Sequence, residues 1–376
     1  MVHPTKRRSR LTRGLALLSV FALASIQSRL VASGPGEPIT PKVVIIAYFE
    51  IGNDTGDRAG ELQPWVEREH LDRVIAVPGV FNHVRTNGDG SIIALKVGPL
   101  SINPAVNIVA LGNSPLFDLR QSYWLLQGIA GATPVHGTIG SAVWTDFVVD
   151  GDAVREIDAR ELPPGWDTGF YPLMGNHPYP TPRVQPGGPE DARTWTEAAF
   201  HISERHDVVR LNPALTDWAF RLTRGIALPD TEAMKHQRAS YAGFAAAQRP
   251  PCVTIGGNLS TERFWIGARM DEWANRWMAY MTETRSVLVT TSQNDIGSLV
   301  AIESLRQAGK ADPNRVLLLR TTSNFDRPPP GANLADFLES EKHGSYTAFD
   351  VAIEALYQVG SPVVHRLLEP DKVQEK

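Results

Sequence analysis

Residues 43–49 read VVIIAYF, a short, unbroken run of β-branched and aromatic side chains. An unbroken apolar run of that length is the signature of a strand covered on both faces, where no side needs to face water. The same kind of segment recurs along the chain. Arg73–Val77, Ser91–Val97, Ser122–Gln127, Gly140–Val149, Ser286–Thr290 and Arg315–Arg320 all read as strands. Helical patterns fall between and after them. These are Glu61–His70, Asn103–Leu111 with Pro104 at its start, Trp195–Glu204, Asp217–Gly225, Asp230–Gln248, Arg269–Glu283, Asp295–Ala308 and Asp350–Tyr357. Met270, Trp273, Ala274, Trp277 and Met281 repeat at spacings of three and four, which makes the sixth of these an amphipathic core helix.

Strands alternating with helices predict an α/β fold, here a single domain spanning about residues 40–370. Its mixed, largely parallel β-sheet would be flanked by helices. No second core and no internal repeat is visible. Pro163–Pro189 is dense in Pro and Gly and reads as a long irregular excursion. In such sheets ligands bind at the carboxyl ends of strands. The segments to inspect are therefore Glu50–Gly56, Gly98–Asn103, Gly128–Thr133, Thr291–Asp295 and Thr321–Asp326.

The chain has 376 residues, of which 42% are apolar and 21% charged, a globular composition. Residues 1–33 carry Lys6, Arg7, Arg8, Arg10, Arg13 and Arg29 and no acid. A basic start, the apolar run Gly14–Ile26 and the small residues Val31-Ala32-Ser33 form the three parts of a secretory signal peptide. Export, to a periplasm or to the medium, is the expected destination. After Ile26 no apolar run is long enough to span a bilayer. Without the leader, 31 basic residues face 41 acidic ones, a formal charge of −10. A body of that sign repels phosphate backbones, so nucleic acid is not an expected partner.

Cys252 is the only cysteine, which excludes an intrachain disulfide and a cysteine-based zinc site. No G-x-S-x-G, H-E-x-x-H or G-x-x-x-x-G-K-[ST] motif is present, and Gly52, Gly56 and Gly60 have the wrong spacing for a dinucleotide fingerprint. His201 and His206 lie five apart, which does not put two ligands on one helical face, so no metal is expected. What remains at the strand ends is a set of hydroxyls, amides and carboxylates, suited to a ligand with sugar hydroxyls and ring nitrogens. Each also has a plainer role as a turn former or cap. Asp295 precedes an apolar helix and is a good N-cap.

Several segments in order resemble the purine nucleoside permease (NUP) family. They are PKVVIIAYFE (41–50), DLRQSYWLLQGIAGAT (118–133), GTIGSAVW (137–144), EIDARE (156–161) with WDTGFY (166–171), TSQND (291–295) and LRTTSNFDRPPP (319–330). That family in turn is similar to the nucleoside phosphorylase fold. The resemblance implies a nucleoside site built from Glu50, Gly98, Asn103, Ala130, Gly131, Thr133, Gln293, Asn294, Asp295 and Ser323. The loop Gly98–Asn103 would stand where phosphate binds, and Asn294 or Asp295 would reach the ribose hydroxyls. Ser323 and Asn324 would face the purine.

Two departures matter. Leu100 stands where the phosphate loop has Gly, which crowds an oxyanion. Asn324 stands where an Asp is expected, and an amide cannot protonate a leaving base. Asp326 could substitute as the acid, or it could pair with Arg327. Asn324 and Asp326 are thus the candidate catalytic residues. The first expectation is an exported purine nucleoside-binding protein that takes part in uptake, with a membrane transporter and a second copy of the chain as candidate partners. The alternative is an enzyme that cleaves the N-glycosidic bond, with inorganic phosphate or water as co-substrate and no other cofactor. A third reading, a storage protein that keeps the fold without the site, conflicts with the polar strand ends.

Overall fold

A computed structural model describes residues 37–173, 176–178, 207–342 and 346–369. The leader, the helix expected over Trp195–Glu204, the His201/His206 pair and much of the Pro-rich excursion lie outside the described residues.

The strand that opens the domain, β1 (Val43–Ala47), is buried along its whole length. Its side chains alternate between two cores, as a strand covered on both faces requires. Val44, Ile46 and Tyr48 face one cluster with Ile108, Leu111, Ile302 and Leu305. Val43, Ile45 and Ala47 face another with Trp65, Ile353, Leu356, Val359 and Val363. Helices α2 (Ile102–Asn113) and α6 (Asp295–Gln307) supply the first layer, and α1 (Gln63–Arg68) and α8 (Phe349–Leu368) the second. Between them lie α3 (Pro213–Thr223), α4 (Glu232–Ala239), α5 (Ala268–Met281) and α7 (Leu334–Ser340).

The remaining strands of the large sheet are β2 (Arg73–Ile75), β3 (Val84–Thr86), β4 (Ile92–Lys96), β5 (Tyr123–Ala132), β6 (Ala142–Asp150), β9 (Val208–Arg210), β10 (Val253–Ser260), β11 (Leu288–Ser292) and β12 (Val316–Phe325). Their order is β11-β10-β6-β12-β5-β1-β4-β3-β2, with β9 against β6. β7 (Val154–Glu156) and β8 (Phe170–Pro172) form a separate hairpin within the excursion region. The fold is the expected mixed α/β sheet flanked by helices. β1 runs parallel to β4 and β5, and β12 parallel to β5. β6 runs antiparallel to β12, and β10 and β11 follow the direction of β6. β11 also pairs back onto the end of β5 through Thr290–Ala132 and Thr291–Gly131. Strands β5, β12, β6, β10 and β11 thereby close into a ring. This closure brings chemistry from distant parts of the sequence to one place.

Several expectations are corrected. Gly128–Thr133 and most of Thr321–Asp326 are not loops after strands. β5 and β12 continue through them, paired as far as Ala132 and Phe325. The reason is the ring: these polar residues find ladder partners on β11 and β6 as well as on each other. The Asp230–Gln248 helix ends at Ala239, and α8 runs eleven residues past Tyr357, through Pro362. Strands β3, β7, β8, β9 and β10 are additional. β10 is masked in sequence by its Gly256-Gly257 pair, which lowers strand propensity. No helix among the described residues is long and apolar enough to cross a membrane.

Candidate functional site

Two polar clusters grow out of the ring, both anchored on β12. The first surrounds Arg320, a fully buried arginine where the apolar first half of β12 gives way to its polar second half. Its Nε donates to Asp295 Oδ2 at 3.0 Å, and its Nη2 to Asp295 Oδ1. Asp295 accepts three more hydrogen bonds, from Asn258 Nδ2 (2.7 Å), Ser292 Oγ (2.7 Å) and the Tyr48 hydroxyl (3.1 Å). The guanidinium also lies over the Tyr48 ring, 4.7 Å from its centroid. Every member comes from a different element: β10, β11, α6, β12 and the residue after β1. Ser260 Oγ, at the end of β10, accepts from the backbone N–H of Asp295 at 3.2 Å and so caps α6 from outside.

Asp295 is therefore not the N-cap. Asn294 holds that position, and Asp295 is the first helical residue, with its carboxylate turned into the core. All of its lone pairs are engaged by protein donors. Close by, buried Glu61 accepts from the amides of Tyr48 (2.7 Å) and Ile129 (2.9 Å). Burial raises its carboxyl to about 7, against the pull of Arg320.

The second cluster lies directly after the end of β12, around Asp326. Asp326 is 2% exposed, yet no N–H or hydroxyl among the described residues reaches either of its carboxyl oxygens. Asp271, on the buried face of α5, is its neighbour, and the two carboxyls lie within hydrogen-bond reach of each other. Asp271 is well served. It accepts from Arg327 Nη1 at 3.2 Å and Asn275 Nδ2 at 3.0 Å, and the Thr133 hydroxyl also reaches it. Burial, and then the Asp271 charge, push the Asp326 carboxyl well above the usual carboxylate range, which favours its protonated form. Arg327 pairs with Asp271 and not with Asp326, against the structural role considered for that pair.

Backbone contacts hold this arrangement in place. The Asp326 amide donates to Ala132 O at 3.0 Å, and the Gly267 amide, just ahead of α5, donates to Asp326 O at 2.9 Å. A Cβ on Gly131 would stand 2.6 Å from Thr291 Oγ1 and 3.6 Å from Asp326 Cβ. A side chain is excluded there, which lets β5, β11 and β12 converge.

The other expected residues divide between these surroundings and two more. Ala130, Gly131, Thr133, Ser323, Asn324 and Asp326 come together at the ends of β5 and β12. Ser323 Oγ bonds Ala130 O (3.3 Å) and Asn324 Oδ1 (2.8 Å), and the register of β12 against β5 shifts between Thr322 and Asn324. Gly98, Asn103, Gln293 and Asn294 form a second group. There the Leu100 amide donates to Asn294 Oδ1 at 2.8 Å, the Ser101 amide to Glu262 Oε1 at 2.7 Å, and Gln293 Nε2 to Glu262 O at 3.3 Å. Leu100 adopts a left-handed φ of 67°, and Asn103 Nδ2 closes the loop on Pro99 O at 2.7 Å. Glu50 belongs to neither group. Its carboxylate gathers the amides of Ile51, Gly60, Leu62 and Gln63, and it borders a polar cavity of about 160 Å³ that Asn53, Asn82, His83 and Lys96 also line.

A family model described as purine nucleoside permease (NUP) matches residues 40–372. The chain belongs to the purine nucleoside permease family. A Schizosaccharomyces pombe protein named "Probable purine nucleoside permease" is 26% identical over 359 residues, covering 94% of this chain and 96% of that protein. A Candida albicans purine nucleoside permease is 26% identical over 343 residues, covering 89% of this chain and 77% of its own length. Among solved structures, the Streptococcus pneumoniae MTA/SAH nucleosidase in complex with 8-aminoadenine aligns with a TM-score of 0.47 at 14% identity. That alignment covers 87% of this chain and all of that one.

Membership in the permease family accounts for the ordered motifs. It does not by itself reveal Arg320, Asn258, Asp271, Asn275 or Glu262. Two of these have a signal in the sequence. Arg320 ends the apolar run of RVLLLR inside a strand, and Asp271 shares the buried face of α5 with Ala274 and Met278 at spacings of three and seven. A charged residue on a buried stripe needs a partner, and so points to a site.

Proposed function

We propose that this chain binds a purine nucleoside where β5, β11 and β12 converge, as the exported binding component of a nucleoside uptake system. The observation that carries the reading is Asp326: a buried carboxyl whose oxygens no protein side-chain donor serves and whose neighbour is another acid, beside Asn324 and Gly131. Buried polar groups are nearly always satisfied, so an orphaned one is explained by an external partner. A carboxylic acid donates to a ring nitrogen and accepts from a ring or exocyclic N–H, and Asn324 offers an amide of the same dual character. The basic-then-apolar N-terminus supports export, and the family name supports the nucleoside. The test is calorimetry of the mature protein with inosine, adenosine and guanosine. Saturable binding that weakens at least ~10-fold in Asp326→Asn supports the site, on the scale of one lost hydrogen bond. Binding equal in the two proteins removes Asp326 from it.

A second reading is cleavage of the N-glycosidic bond, and it too rests on Asp326. An acid whose burial favours the protonated form supplies what Asn324 cannot, a proton for N7 of the departing purine. Water is the favoured co-substrate over phosphate. The Ser101 amide of the loop where phosphate would bind already holds the Glu262 carboxylate, and the Leu100 amide holds Asn294. An anion placed there would meet an existing negative charge. Chromatography of the free base, with and without phosphate, tests this. Release without phosphate supports hydrolysis, release only with phosphate would reverse the choice of co-substrate, and no release in either case sinks the cleavage reading.

A further inference from the structure

We propose that Asp271 and Asp326 act as one carboxyl pair sharing a single proton, with Asp326 presenting it to the ligand and Asp271 keeping it there. The inference deepens the cleavage reading and rests on it for its kinetic part. Its physical part, where the proton sits, does not depend on catalysis.

The argument is one of unequal supply. Both carboxyls are buried and within hydrogen-bond reach of each other. Two adjacent carboxylates cannot both stay ionised in a dry site, so the pair retains one proton. Asp271 has the donors: Arg327 Nη1, Asn275 Nδ2 and the Thr133 hydroxyl, which itself accepts from Asn275 at 3.0 Å. Burial raises the Asp271 carboxyl as well, but those donors pull it back toward the carboxylate. Asp326 has none, so it holds the proton. Other charged and titratable groups surround the pair. Tyr241 donates its hydroxyl to Arg327 O at 2.7 Å, and burial raises its phenol out of the titrating range. His136 sits near Asp271 and Arg249, and burial lowers its pKa, so it is neutral at pH 7. Glu341, in the field of Tyr241, is itself raised to about 8 by burial. Among the described residues Arg327 is the cation paired with Asp271, and its charge also pulls Asp326 down, but no cation forms an ion pair with Asp326.

In the cleavage reading the proton balance closes on the pair. Asp326 gives its proton to N7 as the C1′–N9 bond breaks and its electrons pass into the purine ring. Water adds to the C1′ cation, and the proton that the water loses restores Asp326. The net reaction is nucleoside plus water giving ribose and free base. Asp271 touches neither reactant. It is a positioning residue, whose negative charge makes Asp326 hold its proton up to higher pH.

The experiment combines infrared titration of the carboxyl groups with pH–rate profiles, using the mature protein and its Asp326→Asn, Asp271→Asn and Glu341→Gln variants. Burial raises Glu341 to about 8 and Glu61 to about 7, so both add to the protonated carboxyl signal at neutral pH. The Asp326 band is therefore read as the wild-type minus Asp326→Asn difference, which should persist in the Glu341→Gln background. In Asp271→Asn its midpoint, and the alkaline limb of base release, should both move at least about one pH unit lower, the effect of removing a neighbouring charge. A merely structural Asp271 would lower the rate without moving either. If the band behaves as described but no base is ever released, the pair stands and the cleavage reading fails. If base is released but neither midpoint nor limb moves in Asp271→Asn, the pair is refuted while cleavage survives. Should a variant not fold, a wild-type protein with no protonated carboxyl band at neutral pH overturns the pair unaided.

Discussion

Arg320, in the middle of β12, and Asp326, directly after its last residue, each anchor a buried carboxylate cluster, but the two clusters have opposite characters. Around Arg320 the carboxylate of Asp295 receives five hydrogen bonds, two of them from the guanidinium. Around Asp326 a carboxyl of equal burial receives none, and its neighbour is another acid. The first cluster is closed: charge is balanced and every lone pair is engaged, so nothing is left for a ligand. The second has a surplus acid and unfilled hydrogen-bonding capacity. Burial alone does not separate a structural carboxylate from a functional one; the count of donors does.

The comparison predicts its largest effect at the closed cluster. Arg320→Met leaves Asp295 buried and uncompensated, and should cost about 3–5 kcal/mol of unfolding free energy, read from denaturant midpoints. Adding Asp295→Leu should recover much of that loss, because an apolar pair has no charge to strand. A single variant within about 1 kcal/mol of the wild type would mean that the cluster is open to solvent, and the contrast would break.

Asp326→Asn should behave in the opposite way. Its midpoint should stay within about 1 kcal/mol of the wild type, because no protein donor is stranded by the change. If the chain cleaves nucleosides, base release should fall by ~10²–10⁴-fold, the usual contribution of a general acid. A collapse of stability equal to that of Arg320→Met would place Asp326 in the structural class and sharpen the contrast against it.

A pH series separates the clusters more finely. Glu61 and Glu341 are raised by burial from 4.5 to about 7 and about 8. A raised folded-state value means that the native protein binds more protons than the unfolded chain over that range. Their contribution to stability is therefore full below about pH 4.5 and is lost as pH rises through about 7 and 8. Denaturant midpoints should decline across this window, and Glu341→Gln should flatten its upper part. A midpoint that rises steadily with pH would contradict the burial of both groups.

The smallest expected effect is at the loop. Glu262→Gln removes the carboxylate from the Ser101 amide, so phosphate should raise the melting temperature of the variant and leave the wild type unmoved, a gain of about 1 kcal/mol or less. A wild type that phosphate already stabilises would show that the loop tolerates a second anion.

The sequence made much of the scaffold legible. VVIIAYF is a strand buried on both faces, Met270 to Met281 is a core helix, and the strand–helix alternation gives the sheet its class. The motifs around Gly128–Thr133 and Ser323–Asp326 do meet at one edge. What misled the reading was their polarity. Gly-Ile-Ala-Gly-Ala-Thr and Thr-Thr-Ser-Asn-Phe look like loops because their hydroxyls and glycines are depleted from ordinary strands. Inside the closed ring Gly131, Ala132 and Thr321 are paired on both sides, and most of their neighbours keep a ladder partner on one.

Local chemistry thus determined the elements, the family and the residues that could carry a site, because periodicity and motif order are properties of neighbours along the chain. The division of labour among the carboxylates was decided only in three dimensions. Asp295 and Asp326 are both aspartates at the edges of strands, and nothing in their flanking residues says that one meets Arg320, Asn258 and Tyr48 while the other meets Asp271. Hydrogen-bond supply and desolvation depend on which distant side chains the ring brings within about 3 Å, and that is settled by strand order and register.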